Sequence, residues 1–516
     1  MGAKMAPFES ILFPDPDAAA GIEDITAPEC FADLNLDQII NDVVRGSADE
    51  HLDRYFYLTL RDVSAVTYRH DVFQDLERDS VHAPIGAFVA AMRTMRQRLD
   101  RVGRLWHPLQ RQGWFVYAVQ EYCTAVAALN DGLGQAAASS HGLREFADYV
   151  ASYVDRDRFR ALVAEIGDVQ TELRAVRYVV HIDGLKVHVD RYEGQHDYSL
   201  DIATTFERFA SETAKDYRVR MKDFPDMNHV EEQILQCVAK LYPDQFTRLD
   251  AFCSRHRTYL DATIARFDRE VSFYLCYLAF TRRFADAGLR FSYPRITDDR
   301  GSIFAEDAFD LALAAKATGE GKDMVCNDFR LDGAERVFVI TGPNQGGKTT
   351  LARTIGQLAY LAALGCPVPG SRAMLTLPDG IYTHFERRET LAAPGGKLDN
   401  ELVRIHDILS QATSASVIVM NESFASTTVD DSLQIGAEVL ERIIALDCVA
   451  VYVTFLDELA SLHPACVSMV GEVEHDDPTK RAFTFTRRPA DGLAYAAALA
   501  DKYGLSRNVL MQRIGQ

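Results

Sequence analysis

The run Gly342-Pro343-Asn344-Gln345-Gly346-Gly347-Lys348-Thr349 satisfies G-x-x-x-x-G-K-[ST], a spacing built to hold a phosphate. Glycines let successive backbone N–H groups converge on one anion without a Cβ in the way, and a helix beginning at the end of the loop adds its positive terminus. Lys348 has the reach to meet β- and γ-phosphate oxygens, and the Thr349 hydroxyl suits a Mg²⁺ shell. Gly342 to Thr350 are therefore the expected ATP-binding residues, with Lys348 also acting on the transferred phosphoryl group.

A phosphate cradle hydrolyses nothing alone. The apolar run Val417 to Met420 ends in Asn421-Glu422, where a metal-supporting and a water-polarising side chain are needed. Glu422 is read as the general base, against the alternative of a surface carboxylate. Asn421 is neutral, supports Mg²⁺ less than an aspartate does, and points to slow turnover. Thr454 follows the next apolar run, Val449 to Val453, and is either a γ-phosphate switch or an ordinary buried threonine.

These residues need strand ends beside one another. Val337 to Ile340, Val417 to Met420 and Val449 to Val453 are nearly continuous apolar runs, as in a parallel sheet covered on both faces. Cys466 to Val470 and Ala482 to Phe485 are further short strands, and Thr350 to Leu364 is the helix after the loop. The C-terminal half thus reads as an α/β P-loop NTPase domain with a mainly parallel, ABC-like sheet. The preceding half is mostly helical, with three- and four-residue apolar spacing at Leu34 to Val44, Ile85 to Val102, Val116 to Leu129 and Leu143 to Tyr153. Val230 to Phe284 reads as two or three helices broken near Pro243. One β-hairpin, residues 175–189, interrupts them, with Asp183-Gly184 as its turn and His181 and His188 as cross-strand neighbours.

Composition narrows the class. Of 516 residues, 47% are hydrophobic and 25% charged, as in a folded globular chain, and no apolar run of about 18 residues or signal-like start occurs. The expectation is a cytoplasmic protein without membrane association. Nine scattered cysteines with no C-x-x-C pair read as reduced thiols. A net charge of -20 argues against broad coating of nucleic acid, yet Arg93, Arg96, Arg98, Arg101, Arg104 and Arg111 cluster around the single acid Asp100. Phosphate contacts or a solvated helix face both account for that cluster. The acidic start, Asp15 to Asp24, reads as a loose tail.

The segment Ile340 to Thr350 resembles the P-loop of the MutS family of DNA mismatch-repair ATPases. Val325-Cys326-Asn327-Asp328-Phe329-Arg330-Leu331 is similar to that family's lead-in, and Tyr495 to Leu505 to its final helical segment. The resemblance implies a tail at 1–32, a helical core and lever region at 33–300, and an ATPase domain with a C-terminal helical segment at 301–516. It also implies a homodimer in which each ATPase domain lends a signature loop to the other's nucleotide. Here that loop is Pro394 to Glu401, where the family's Ser-Thr-Phe has become Gly396-Lys397-Leu398. The Gly396 N–H or a Lys397 cationic finger would replace the lost hydroxyl; a solvated lysine is the alternative. Ser426 to Asp431 takes the place of the family's dimer-contact loop, and Phe455 the place of its histidine after the switch threonine. The family's mismatch-reading Phe-x-Glu wedge is not found before Asp33. The resulting expectation is an ATP-gated clamp that contacts phosphates of duplex or branched DNA and hydrolyses ATP slowly. Arg218, Arg220, Lys222 and Arg255 to Arg257 join the arginine cluster as candidate contacts, and Phe309 is a candidate adenine platform. A nucleotide-gated protein-interaction scaffold without DNA binding is the competing function.

Overall fold

The computed structural model describes residues 8–15, 22–47, 51–184, 186–196, 227–386, 396–474 and 477–490. The chain forms two compact units. One comprises Met1–Asp79, Ala138–Arg144 and Arg269–Gln516; the other comprises Ser80–Ala137 and Glu145–Asp268. These units cut across the expected divisions at 32 and 300, because the chain leaves the first unit and returns to it twice. No helix among the described residues is long and apolar enough to cross a membrane.

The second unit is helical. Its main elements include α1 (Asp79–Arg104), α2 (Pro108–Ala136) and α3 (Asp157–Ala175), followed by α4 (His229–Leu241) and α5 (Pro243–Arg255). Proline at the first position starts both α2 and α5, where its missing N–H costs nothing. Asn228 and Glu231 form a reciprocal capping box on α4. Between α3 and α4 lie β1 (Tyr178–Asp183) and β2 (Lys186–Arg191), antiparallel, with His181 opposite His188. The innermost pair is Asp183 and Lys186, so Asp183, expected in the turn, is the last paired residue of β1. Several arginines are neutralised by acids remote in sequence. Arg96 pairs with Asp268, Arg98 lies 2.8 Å from Glu121, and Arg255 lies 2.7 Å from Glu165. Arg101 stacks over the Trp114 ring at 4.3 Å.

The first unit holds a six-stranded sheet. Its strands are β3 (Val337–Thr341), β4 (Ile381–Phe385), β5 (Val417–Asn421), β6 (Val449–Val453), β7 (Cys466–Glu474) and β8 (Asp477–Arg487), in the spatial order β4-β5-β6-β3-β7-β8. All neighbours are parallel except β7 and β8. Every residue of β3, β5 and β6 is buried, which accounts for their unbroken apolar runs. The helix α6 (Lys348–Ala363) follows β3, α7 (Lys397–Gln411) precedes β5, and α8 (Val429–Leu446) follows it.

The N-terminal segment corrects the expectation of a tail. Ile11, Leu12 and Phe13 are fully buried. Ser10 donates to Glu270 at 2.9 Å, the Ile11 N–H donates to the same carboxylate at 3.0 Å, and Arg69 donates to the Leu12 carbonyl at 3.0 Å. The apolar run Ile11-Leu12-Phe13 is too short to show a period and stands directly before the acidic stretch from Asp15. The expected C-terminal helical segment and Arg218, Arg220 and Lys222 lie outside the described residues.

Candidate nucleotide site

Parallel register aligns the carboxyl ends of three strands. Asn421 pairs with Val453, and Val453 with Ile340, so the loop after β3, the Asn421-Glu422 step and Thr454 lie side by side. Ligands of open α/β sheets gather at this edge. Gly342 has φ +125, and a Cβ there would meet the Gly471 backbone N at 2.9 Å. Gly347 has φ +92 and caps α6, whose first residue is Lys348. Both positions therefore demand glycine. Gln345 also has a positive φ of 60, an outlier within the loop.

The lysine is buried and fully engaged. Its Nζ donates to the Gly342 carbonyl at 3.1 Å, the Pro343 carbonyl at 3.2 Å and Asn344 Oδ1 at 3.3 Å. The Phe455 ring lies 4.4 Å from the same ammonium, a cation–π contact. Burial pushes the Lys348 ammonium down, and the field of Glu422 opposes that shift. Thr349 donates to Asn421 Oδ1 at 2.8 Å, which brings the two expected metal-shell residues together. Glu422 is held by its N–H on the Val453 carbonyl at 3.0 Å. Thr454 is buried, and its hydroxyl accepts from the Leu456 N–H at 3.1 Å.

A cavity of about 550 Å³ opens beside the loop, lined by Gln345, Gly347 to Thr350 and Glu422. Phe309 lines it too, but its ring is almost wholly buried against Phe291. Phe483, in β8, lines the same cavity and is 47% exposed, which makes it the better platform for a base. Its positive φ of 60 breaks the regular alternation of β8, so its facing does not follow from a strand pattern. Asn327 staples it in place by donating to the Phe483 carbonyl at 3.0 Å and accepting from the Phe485 N–H at 2.8 Å. Arg481 was missed as well; it donates to the Asn344 carbonyl at 3.1 Å.

Gly396 and Lys397 do not line this cavity. Gly396 is the N-cap of α7, and Lys397 pairs with Glu386. Ser426 to Asp431 serves locally as a helix start, where Thr428 caps α8 by accepting from the Asp431 N–H at 3.2 Å. All nine cysteines are free, and no cluster of metal-binding side chains occurs among the described residues.

The fold and the loop define a P-loop nucleotide-binding domain. Residues 338–510 match the family model of MutS domain V, which is an ATPase domain. The chain is 30% identical over 185 residues to the DNA mismatch repair protein MutS of Thermotoga neapolitana, covering 36% of this chain and 23% of that protein. It is 25% identical over 289 residues to the DNA mismatch repair protein MSH3 of Yarrowia lipolytica, 55% of this chain and 27% of that one. It is 28% identical over 219 residues to endonuclease MutS2 of Thermus thermophilus, 39% of this chain and 29% of that one. The chain thus spans about a quarter of the length of these relatives.

Proposed function

We propose that this protein is a MutS-like, ATP-dependent DNA-binding protein, a nucleotide-gated clamp on duplex or branched DNA that hydrolyses ATP slowly as a homodimer. The observation that carries the ATPase reading is the bond from Thr349 to Asn421 beside Glu422, at adjoining strand ends. The donor set fits a magnesium nucleotide: a hydroxyl and an amide oxygen complement an ion that keeps waters and phosphate oxygens, and the positive φ at Gly342 and Gly347 gives the loop a backbone whose N–H groups can converge on phosphate. Bound Mg²⁺ would supply charge stabilisation for the phosphoryl group, held by Thr349 and Asn421. Lys348 exchanges its loop carbonyls for phosphate oxygens, Glu422 orients and deprotonates water, and Thr454 reports the γ-phosphate. Phe483 offers a face for the base. In the dimer, Gly396 and Lys397 reach the partner's nucleotide.

The DNA-binding half rests on likeness to the relatives' ATPase part. A nucleotide-gated protein-interaction scaffold without DNA binding is the second reading, and the pairing of Arg96, Arg98 and Arg255 with carboxylates favours it. Electrophoretic shift on mismatched, branched and plain duplexes, with ATP, ADP and no nucleotide, tests both. A nucleotide-dependent shift that weakens steeply with salt supports the clamp. No shift on any DNA at low salt rejects it in favour of the scaffold.

A further inference from the structure

We propose that His384 and Glu401 are positioning residues for Glu422, fixing a strained bend at residues 422–424 and tying it to α7. The inference rests on the reading of Glu422 as the hydrolytic base. Glu422 has φ 51 and Phe424 has φ 64, so two non-glycine residues in three occupy the left-handed region. Such conformations are strained for L side chains and persist only where surroundings over-determine them.

Here every residue of the bend is held. The Glu422 N–H donates to Val453 at 3.0 Å, and the Phe424 N–H donates to Glu401 Oε2 at 3.0 Å. Ser432 donates its hydroxyl to the Phe424 carbonyl at 2.7 Å. The Phe424 ring is fully buried and lies 5.8 Å from the His384 imidazole. His384, in β4, connects both sides: Nδ1 is 2.7 Å from Ser423 Oγ, and Nε2 is 3.2 Å from the Glu401 carbonyl. A carbonyl only accepts, so Nε2 carries the proton, and a neutral ring then accepts the Ser423 hydroxyl at Nδ1. Burial keeps that ring neutral by pushing its pKa down to about 4.

The link runs to a second place of interest. Glu401 lies on α7, which begins at Lys397 directly after Gly396. A shift of α7 would withdraw the carboxylate from the Phe424 N–H and relax the bend that aims Glu422. The loop assigned to the partner's nucleotide and the base of this protomer's own nucleotide therefore share one hydrogen-bonded connection.

The test is steady-state hydrolysis of Mg-ATP by the full chain, with nucleotide affinity measured in parallel by calorimetry. Glu401→Ala should lower kcat about tenfold with KM within about twofold, because water is misaligned while phosphates are still held. Glu401→Gln keeps an oxygen acceptor for Phe424 and should recover to within about threefold of the unmodified rate. Ser423→Ala, a small change that keeps the fold if Glu401→Ala does not, should lower kcat about threefold. An unchanged kcat in Ser423→Ala and Glu401→Ala, or equal loss in the alanine and glutamine variants, overturns the positioning role and leaves the nucleotide reading standing. An unmodified chain that binds no ATP, or binds it without hydrolysis, overturns the reading of the base and this proposal with it.

Discussion

Lys348 is surrounded by its own loop's oxygens and one aromatic ring, so triphosphate must displace ligands that the ammonium already has. Lys348→Ala should weaken ATP binding at least about a hundredfold in calorimetry, since the charge-assisted contacts to phosphate vanish. Asn421 presents a neutral oxygen to Thr349 where charge would serve a cation better. Asn421→Asp is expected to raise kcat about tenfold with added Mg²⁺, and an unchanged rate would remove the metal shell as the limiting factor. The loop, and the placing of Glu422 beside it, were legible because both are contiguous residues directly after apolar strands. Phe483, Asn327 and Arg481 were not, because they reach the site through backbone conformation and pairing between β8 and distant residues.

Among the elements, β4 shows why some strands escape a reading by pattern. Ile381-Tyr382-Thr383-His384-Phe385 places two polar side chains inside, and their partners are far along the chain: Thr383 donates to Asp33 at 2.7 Å, and His384 meets Ser423. The strands β3, β5 and β6 were legible because both faces are covered by apolar packing. The buried imidazoles of this unit also set its response to acid. Burial lowers both His70 and His384 to about 4 from an ordinary value of 6.5. Between those values the unfolded chain binds protons that the folded one refuses, so stability is full above about pH 6.5 and declines as pH falls toward 4. Each histidine contributes a slope of up to about 1.4 kcal/mol per pH unit. Urea midpoints at pH 7.5, 6.0 and 5.0 should show little change at first and then a fall, and His70→Leu should flatten that fall by about half.

At the scale of the whole molecule, the two units are woven from discontinuous stretches, a property that no window of sequence displays. The helices of the second unit were legible from their periodicity, yet which arginines remain free was not, because Asp268, Glu121 and Glu165 come from other helices. Residues 8–13 are the plainest case of a stretch that looks dispensable and is not. A shortened chain beginning at residue 14 would take the Ser10 hydroxyl and Ile11 N–H from buried Glu270 and the Leu12 carbonyl from buried Arg69, which would keep its bond to the Leu364 carbonyl. It would also open the greasy seat of Ile11, Leu12 and Phe13, at about 1.5–3 kcal/mol for each side chain. Such a preparation should melt far below the intact chain in scanning calorimetry and bind hydrophobic dye. Anyone tidying this protein for crystals by clipping its first dozen or so residues would be pulling out a keystone.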